Sequence, residues 1–315
     1  MTKQLKTAMT VDQHLHLLRS RGMAVDDMLA RQWLSNVSYY RLSAYWYPAR
    51  ISDGDGKRTD SFVPGTTFDS VASLYEADRK LRTLVHDGVE RIEIALRTRV
   101  GEQLYADGPL GYTVPSRFRP TFDHSEWMKT ARKRISRAKR HNEAIKHYES
   151  TYDGAFPFWV LAEVLDFADV SRLYEGLPAL DQREIAEGFG VRIDISGLSK
   201  SQREKAKKSP PLVRWMEQLT VIRNTCAHHG RLWNKYFTPA PTAAMRTLPG
   251  LKLLPAGQSE RLFGALLVMA QLLRETSPGT SWPAKVAQLL ESEFLSNQLV
   301  SADDLGIPPN WTGCF

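Results

Sequence analysis

The sequence predicts an all-α fold, and three observations support that prediction. Apolar residues recur at steps of three and four along most of the chain, whereas the alternation typical of strands is scarce. Residues 68–105 follow this helical spacing without a proline. At 315 residues and 42% hydrophobic composition, the chain can bury a full core and forms one large or two modest domains.

The N-terminal region, residues 1–50, contains the signals of three short helices. Thr10 and Gln13 form a capping box, and Gly22 is a helix stop. The predicted helices are residues 11–21, residues 26–36 and the segment that ends at Pro48. This arrangement is either a DNA-reading module or a helical packing unit. We favour packing, because no recognition helix with clustered base-reading residues stands out.

Residues 51–67 are rich in Gly, Asp, Ser and Thr, and we expect a loop or small hairpin there. The apolar spacing of residues 68–105 then predicts one long amphipathic helix. Its other face carries charges of both signs, which are typical of a solvated face with ion pairs. We assign residues 68–298 to one helical domain that begins with this helix.

An insertion at about residues 106–155 contains the densest basic run of the chain. As a helix this run presents cations on nearly every side. A purely structural helix seldom benefits from such charge, so we favour binding of a phosphate backbone. The expected RNA-binding residues are Lys129, Arg132, Lys133, Arg134, Arg137, Lys139 and Arg140. A second basic stretch, residues 200–208, is expected to be an exposed loop or helix end.

The remaining segments complete the helical pattern. Residues 156–177 predict one buried helix, with Trp159 and most of its apolar neighbours in the core. Two late helices are expected within residues 259–278 and 281–297. Residues 299–315 form a C-terminal tail, in which Pro308 and Pro309 preclude regular structure.

The charge and cysteine content narrow the classes of function. The net charge is +7 with a pI near 9.3, and the excess is local, as expected for a polyanion partner. An anionic membrane surface would also attract a basic protein. However, the sequence has no run of about 18 apolar residues and no secretion signal, which predicts a cytoplasmic protein without membrane contact. Cys226 and Cys314 give neither a disulfide framework nor a zinc spacing, and we expect no metal and no cofactor.

Residues 210–234, PPLVRWMEQLTVIRNTCAHHGRLWN, crowd polar groups onto one predicted helix. Ser209 is a suitable N-cap and Pro210 a natural first residue, so the helix begins there and runs toward Arg231 or beyond. The apolar stripe consists of Leu212, Trp215, Leu219, Ile222, Cys226 and His229. We therefore interpret His229 as a core or core-edge histidine.

Asn224 and His228 are four residues apart and share a face opposite that stripe. Arg223 lies between the two faces and can reach either. These three polar residues are either solvent-exposed surface residues without a specific function or part of a reaction centre. The types fit RNA chemistry, because arginine grips a phosphate with two donors, asparagine orients it and histidine exchanges protons near neutral pH.

Metal-free RNA cleavage needs two proton transfers. A base removes the 2′-OH proton, the oxygen attacks phosphorus, and an acid protonates the leaving 5′-oxygen. One histidine can act either as the base or as the acid at a given time. A two-fold dimer would bring a second copy of the histidine to perform the other proton transfer. The spacing R-x-x-x-x-H is weak alone, since Arg119 and His124 also match it, but helical context selects residues 223–228.

Several stretches together resemble a known family: NVSYYRLSAYWYP, LYEADRKLR, ERIEIALRTRV, PFWVLAEVLDFADVSRLYEGL and RNTCAHHGRLWN. They occur over nearly the whole chain and resemble the Abi-like proteins of the AbiD/AbiF type, from prokaryotic abortive infection systems. That group looks like a branch of the HEPN superfamily, whose all-α domains carry an R-N-x-x-x-H ribonuclease motif and usually act as dimers.

The resemblance implies a HEPN-like helical bundle with an N-terminal helical region and a helical insertion. It implies a metal-independent endoribonuclease of phage defence, acting as a toxin and as a homodimer, with control by a small RNA as a further implication. By position, Arg223, Asn224 and His228 match the catalytic motif, and His229 is an auxiliary candidate.

Two other functions are also compatible with the sequence. One is a non-catalytic RNA-binding protein that holds a structured small RNA, and the other is a DNA-binding regulator that uses residues 10–50. A further set of residues supports either the site or only the fold, and we favour the fold: Tyr39, Tyr40, Arg41, Asp78 and Arg79.

Overall fold

The computed structural model describes residue 5 and residues 7–315, of which most are helical, and the predicted all-α fold is confirmed. In the described residues the α-helices are α1 Val11–Ser20, α2 Asp27–Asn36, α3 Tyr39–Trp46, α4 Phe68–Leu104, α5 His124–Ala138, α6 Glu143–Thr151, α7 Phe158–Leu161, α8 Phe167–Gly176, α9 Ala179–Gly188, α10 Lys200–Lys208, α11 Leu212–Ala227, α12 Leu262–Thr276, α13 Trp282–Leu289 and α14 Ala302–Leu305. Two small antiparallel pairs accompany them: β1 Arg50–Ser52 with β2 Arg58–Phe62, and β3 Ala240–Pro241 with β4 Gln258–Ser259. Residues 1–4 and 6, part of the N-terminal stretch that we assessed for a secretion signal, lie outside the described residues.

Helix α4 is the central element, and its length agrees with the predicted long helix. Its N-terminus is capped by Thr67, whose hydroxyl accepts a hydrogen bond from the Ser70 N–H at 3.0 Å. Side chains at three- and four-residue steps are fully buried from one end to the other, as Leu74, Leu81 and Leu96 show. The helix packs against α3, α8, α11, α12 and α13, so one continuous core surrounds it.

The N-terminal helices follow the sequence signals closely. The predicted capping box at α1 is present, because Thr10 N–H donates to Gln13 Oε1 at 2.8 Å and Gln13 N–H to Thr10 Oγ1 at 3.3 Å. The predicted hairpin is also present as β1 and β2. Helix α3 buries Leu42, Tyr45 and Trp46, and this face packs on α4.

The prediction of one buried helix over residues 156–177 is wrong. The segment forms α7, a 3₁₀ turn at Ala162–Val164 and then α8. Asp166 adopts an extended conformation and caps α8 in a capping box with Asp169, which favours a new helix start over continuation. Trp159 is 48% exposed rather than in the core, because the single helical turn of α7 directs it outward.

Smaller differences concern the basic segments and the tail. The basic run is split into α5 and α6 at Asn142, whose side-chain oxygen accepts from the Ile145 N–H at 3.0 Å and caps α6. Residues 200–208 form the exposed helix α10. The tail contains the single turn α14 before its prolines, and Trp311 and Phe315 pack on the ring of Phe263. Within the described part of the chain, no helix has the length and apolarity that crossing a membrane requires.

Candidate active site at the end of helix α11

Helix α11 buries the predicted apolar stripe but ends earlier than expected. Its buried residues include Leu212, Trp215, Leu219, Ile222 and Cys226. The last helical residue is Ala227, and His228 is the C-cap. His229 follows with φ 54°, and the Gly230 N–H donates to the Thr225 carbonyl at 2.7 Å, which is the Schellman closure of a helix.

This early end overturns the interpretation of His229 as a core histidine. The helical period that placed it on the apolar stripe stops two residues before it. In the left-handed conformation its side chain is exposed, and only its backbone carbonyl is engaged. His229 therefore lies on the same open surface as His228.

The loop after α11 is fastened to α4 by a buried carboxylate. Asp78 is fully buried, and its Oδ1 accepts hydrogen bonds from the backbone N–H groups of Leu232 at 3.0 Å and Trp233 at 2.8 Å. Its other oxygen accepts from the Tyr45 hydroxyl at 2.8 Å and pairs with Arg82. Burial raises the pKa of Asp78, and the Arg82 guanidinium and these donors oppose that rise. The carboxylate therefore joins α3, α4 and the motif loop.

Two arginines add a second attachment between α3 and the same loop. Arg41 Nη1 donates to the His229 carbonyl at 2.6 Å, and Arg231 donates to the carbonyls of Ala44 and, at 3.2 Å, Asn234. The backbone on both sides of Gly230 is thus held by side-chain donors. This geometry fixes the position of the helix end on which His228 lies.

The five residues with an unassigned supporting role now divide into two groups. Asp78 and Arg41 contact the motif loop directly, so they support both the fold and the site. Tyr39 stacks on His14 with ring centroids 4.2 Å apart, a contact within the N-terminal region. Tyr40 is 87% exposed and Arg79 pairs with its helical neighbour Glu76, so neither contacts the motif loop.

Arg223 is the motif residue that the structure holds most firmly. Its side chain is about one-third exposed, and its Nη2 lies 3.9 Å from Oε2 of Glu93 on α4. Glu93 is largely buried and also pairs with Arg97, which donates to the carbonyls of Ala162 and Leu165. The Arg223 guanidinium therefore lies close to the Glu93 carboxylate, whose position is fixed by its ion pair with Arg97.

Sequence reasoning missed Glu93 and Arg97, which we had placed among the solvated ion pairs of the long helix. The i, i+4 spacing of the two residues was visible, but it is equally common on exposed faces. Only the packing of α7 and α11 against this part of α4 buries them.

The surface beside Arg223 is a groove of about 680 Å³ along α4. The groove also contains four carboxylates, on Asp87, Glu90, Glu93 and Glu163. Its arginines are Arg97 and Arg223, and His86 also lines it, so carboxylates outnumber arginines in the lining, although Asp87 is itself paired with Arg91. Across the described residues, no group of three or more His, Cys, Asp or Glu side chains is arranged to hold a metal ion.

Asn224 and His228 are both exposed, as their predicted outward face requires. Arg223 Nη1 donates to Asn224 Oδ1 at 3.3 Å, so these two side chains meet. The His228 ring makes no hydrogen bond or ion pair with the residues that the structure describes. The structure thus pairs Arg223 with Asn224 and leaves His228 open to solvent at the helix end.

The seven basic residues of the insertion do not form one uniform surface. Arg134 is an anchor, because its guanidinium pairs with Asp166 at 2.5 Å and Asp169 at 2.8 Å, and the hydrogen bond to Asp169 raises the pKa of Arg134. Three further cations have acidic neighbours: Lys129 with Glu126, Arg137 with Asp166, and Lys139 with Glu149. Arg132, Lys133 and Arg140 are exposed and have no ion pair among the described residues.

The motif helix carries a thiol whose reactivity can be predicted. Burial raises the pKa of Cys226 to about 12, so the thiolate that reacts with alkylating agents is nearly absent at neutral pH. Cys314 is exposed. We expect iodoacetamide to modify Cys314 alone in the native protein and both cysteines after denaturation, as measured by mass spectrometry. Rapid native labelling of Cys226 would show that α11 does not pack as described.

The fold and the site define an all-α protein with an arginine, an asparagine and a histidine at the end of an anchored core helix. The model of the family described as Abi-like protein matches residues 32–234, more than half of the chain. The chain therefore belongs to the Abi-like protein family, and this membership supports a role in abortive infection. No curated protein and no solved structure matches the chain.

Proposed function

We propose that this Abi-like protein is a metal-independent HEPN-type endoribonuclease, a toxin of a phage abortive-infection system of the AbiD/AbiF type. The observation that carries the proposal is the position of Arg223, Asn224 and His228 at the open end of α11. The loop that directly follows them is fixed by Asp78 and Arg41, which supports the preorganised geometry that catalysis requires.

Each motif residue has a distinct role in this proposal. Because carboxylates outnumber arginines in the groove, its interior disfavours a phosphate, and we place the substrate phosphate at the exposed side of Arg223, next to Asn224. Asn224 orients the phosphoryl oxygens, and Arg223 stabilises the charge that develops on them. His228 acts as the general acid or base, because its exposed ring is free to accept or donate a proton.

A second proton-transfer group is needed, and two sources are compatible with the exposed helix end. In a homodimer, a second copy of His228 supplies it across the two-fold axis. The auxiliary candidate His229 supplies it within one chain, since its side chain is exposed while Arg41 holds its carbonyl. We favour the homodimer, because Asn224 and His228 are exposed on the outward face of α11, where a second copy can meet them.

The first test is RNA cleavage in the presence of EDTA, with analysis of the product ends. Attack by the 2′-oxygen expels the 5′-oxygen and leaves a 2′,3′-cyclic phosphate, so we expect wild-type protein to give these ends without added metal. Cleavage that requires a divalent cation, or that leaves 3′-hydroxyl ends, would contradict the proposed mechanism.

The second candidate function is a non-catalytic protein that holds a structured small RNA. It is favoured by the exposed cations of α5 and the adjoining turn, Arg132, Lys133 and Arg140, which lack internal partners among the described residues. In an RNase of this kind, the same surface would bind the substrate or a regulatory RNA as partner.

This basic surface should dominate the salt dependence of RNA binding. Replacing Arg132, Lys133 and Arg140 by alanine removes up to three phosphate contacts, and each contact contributes about 0.7 to the slope of log K against log salt for single strands. We expect the slope to flatten by about 2 in binding titrations between low and moderate salt. Arg134→Ala is the control for fold, since it breaks an internal ion pair and should lower the melting temperature instead.

The DNA-binding alternative rests on residues 10–50. In the structure α3 uses its apolar face against α4 and Arg41 against the motif loop, so most of its side chains have internal contacts, Tyr40 being the exposed exception. A binding preference for one duplex DNA sequence over single-stranded RNA would restore this alternative.

A further inference from the structure

One face of the basic helix α5 is only partly covered: Met128 and Ile135 on it pack at the edge of the core, and a slot remains open beside them. Met128, Arg132, Ile135, Ser136 and Lys139 lie at helical spacing on or just beyond that helix and share this face. Trp127 is buried beside this face, and its indole N–H donates to the Asp169 carbonyl at 2.9 Å. Residues 110–113 and 154–156 lie opposite the open face, and a slot of about 370 Å³ remains between them.

The walls of the slot are apolar, and its charged groups are cationic. Tyr112 and Phe156 line the slot, although they are only 4% and 7% exposed, and the Tyr112 hydroxyl donates to the Phe156 carbonyl at 2.7 Å. Arg132 and Lys139 supply positive charge, whereas no carboxylate of the described residues lines the slot. Lys139 is paired with Glu149 at 2.6 Å, whereas Arg132 has no ion pair with any residue in the described part of the chain.

This combination of shape and charge selects a particular chemistry. An apolar slot within the usual size range of ligand sites accepts a flat aromatic group. A free guanidinium beside it adds a partner for an anion close to that group. An unpaired nucleotide has both features in one unit, a planar base and a phosphate. In a duplex the base is stacked and paired, so it cannot enter.

We propose that this slot binds the base of an unpaired nucleotide in RNA, with the adjacent phosphate on Arg132. The proposal rests on the proposed function in that RNA is the partner, and it identifies which part of the RNA the insertion recognises. The slot and the groove beside Arg223 differ in charge, since the groove contains four carboxylates and the slot none among the described residues. We therefore expect α5 to provide most of the binding of the RNA, while the motif contacts the RNA at the phosphate that reacts.

The test measures binding of the full chain to an oligouridine of about twelve nucleotides, 2′-O-methylated so that it cannot be cleaved by 2′-oxygen attack. Two variants probe the slot: Arg132→Ala removes the cation, and Ser136→Trp fills the space without changing charge. Lys133→Ala is the matched control, because it removes one positive charge from the same helix outside the slot. Melting temperatures show whether Ser136→Trp still folds, and Ala155→Phe fills the slot from the opposite wall if it does not.

We expect Arg132→Ala and the filling variants to weaken binding on the order of tenfold, and Lys133→Ala about twofold. A 4-thiouridine in the oligonucleotide should crosslink to residues 110–113, 128–139 or 154–156. Equal losses in all variants, an unchanged affinity of the filled slot, crosslinks elsewhere or no RNA binding at all would overturn the proposal. If uridine monophosphate binds as tightly as the oligonucleotide, the ligand of the slot is a free nucleotide and not RNA.

Cleavage of unmodified RNA is measured separately with the same proteins. If the protein cleaves RNA but the slot variants do not change its RNA affinity, only the proposal of the nucleotide slot is contradicted. Slot-dependent binding without any cleavage contradicts only the ribonuclease.

Discussion

Replacing His228 by alanine should lower RNA cleavage by on the order of 10²- to 10⁴-fold, the usual contribution of a general acid or base, and should abolish toxicity in cells. The melting temperature should stay nearly the same, because the ring is exposed and makes no hydrogen bond with the described residues. The backbone N–H of residue 228, which donates to the Asn224 carbonyl at 3.1 Å, is retained in the variant. Cleavage rates and thermal melts of the two purified proteins measure both effects.

Two other histidines serve as controls for this prediction. His147 is an exposed histidine on α6, so His147→Ala should change neither cleavage nor stability. His229→Ala separates the two sources of the second proton-transfer group: a loss as large as that of His228→Ala favours the single chain, and a small loss favours the homodimer. A folded His228→Ala protein with full activity would falsify the role of His228.

Replacing Asp78 by alanine should destabilise the protein by about 3–5 kcal/mol, the cost of breaking a buried ion pair by removing one partner. The substitution leaves the Arg82 guanidinium buried without its carboxylate and two backbone N–H groups of the motif loop without an acceptor. Urea denaturation at neutral pH measures the free energy of unfolding. Asp78→Asn preserves the side-chain volume and should still be strongly destabilising, because the lost charge matters more than the lost space.

The adjacent residue provides the control. Arg79 is exposed and, among the described residues, forms an ion pair with Glu76 alone, so Arg79→Ala should change the free energy of unfolding by no more than about 0.5 kcal/mol. If Asp78→Ala is as mild as Arg79→Ala, the motif loop is not anchored through Asp78.

The sequence predicts the long elements of the fold because their signals are local. The capping box of Thr10 and the proline-free apolar period of α4 each lie within a single helix. The end of α11 was missed because the usual signal, a glycine in the left-handed position, is absent: His229 occupies that position, and Gly230 comes one residue later. The break before Asp166 was missed because a hydrophobic run of that length also fits one buried helix.

The candidate site also has one part that the sequence predicts locally and one part that depends on tertiary packing. The exposed face that carries Asn224 and His228 follows from helical spacing alone. The groups that hold this face, Asp78 and Glu93, come from a different helix more than 100 residues earlier in the chain. Nothing local distinguishes these carboxylates from the solvated charges around them, and only tertiary packing buries them.

The contact between Arg41 and the His229 carbonyl has a consequence for when the site can exist. It joins residues 188 positions apart, and the hydrogen bond from Leu232 to Asp78 spans 154 positions. During synthesis the N-terminal helices leave the ribosome long before α11 is made, and contacts between such distant residues form late because loop closure opposes them. The motif is therefore assembled only when the chain has been translated past residue 233, so a truncated or still growing chain lacks the anchored motif.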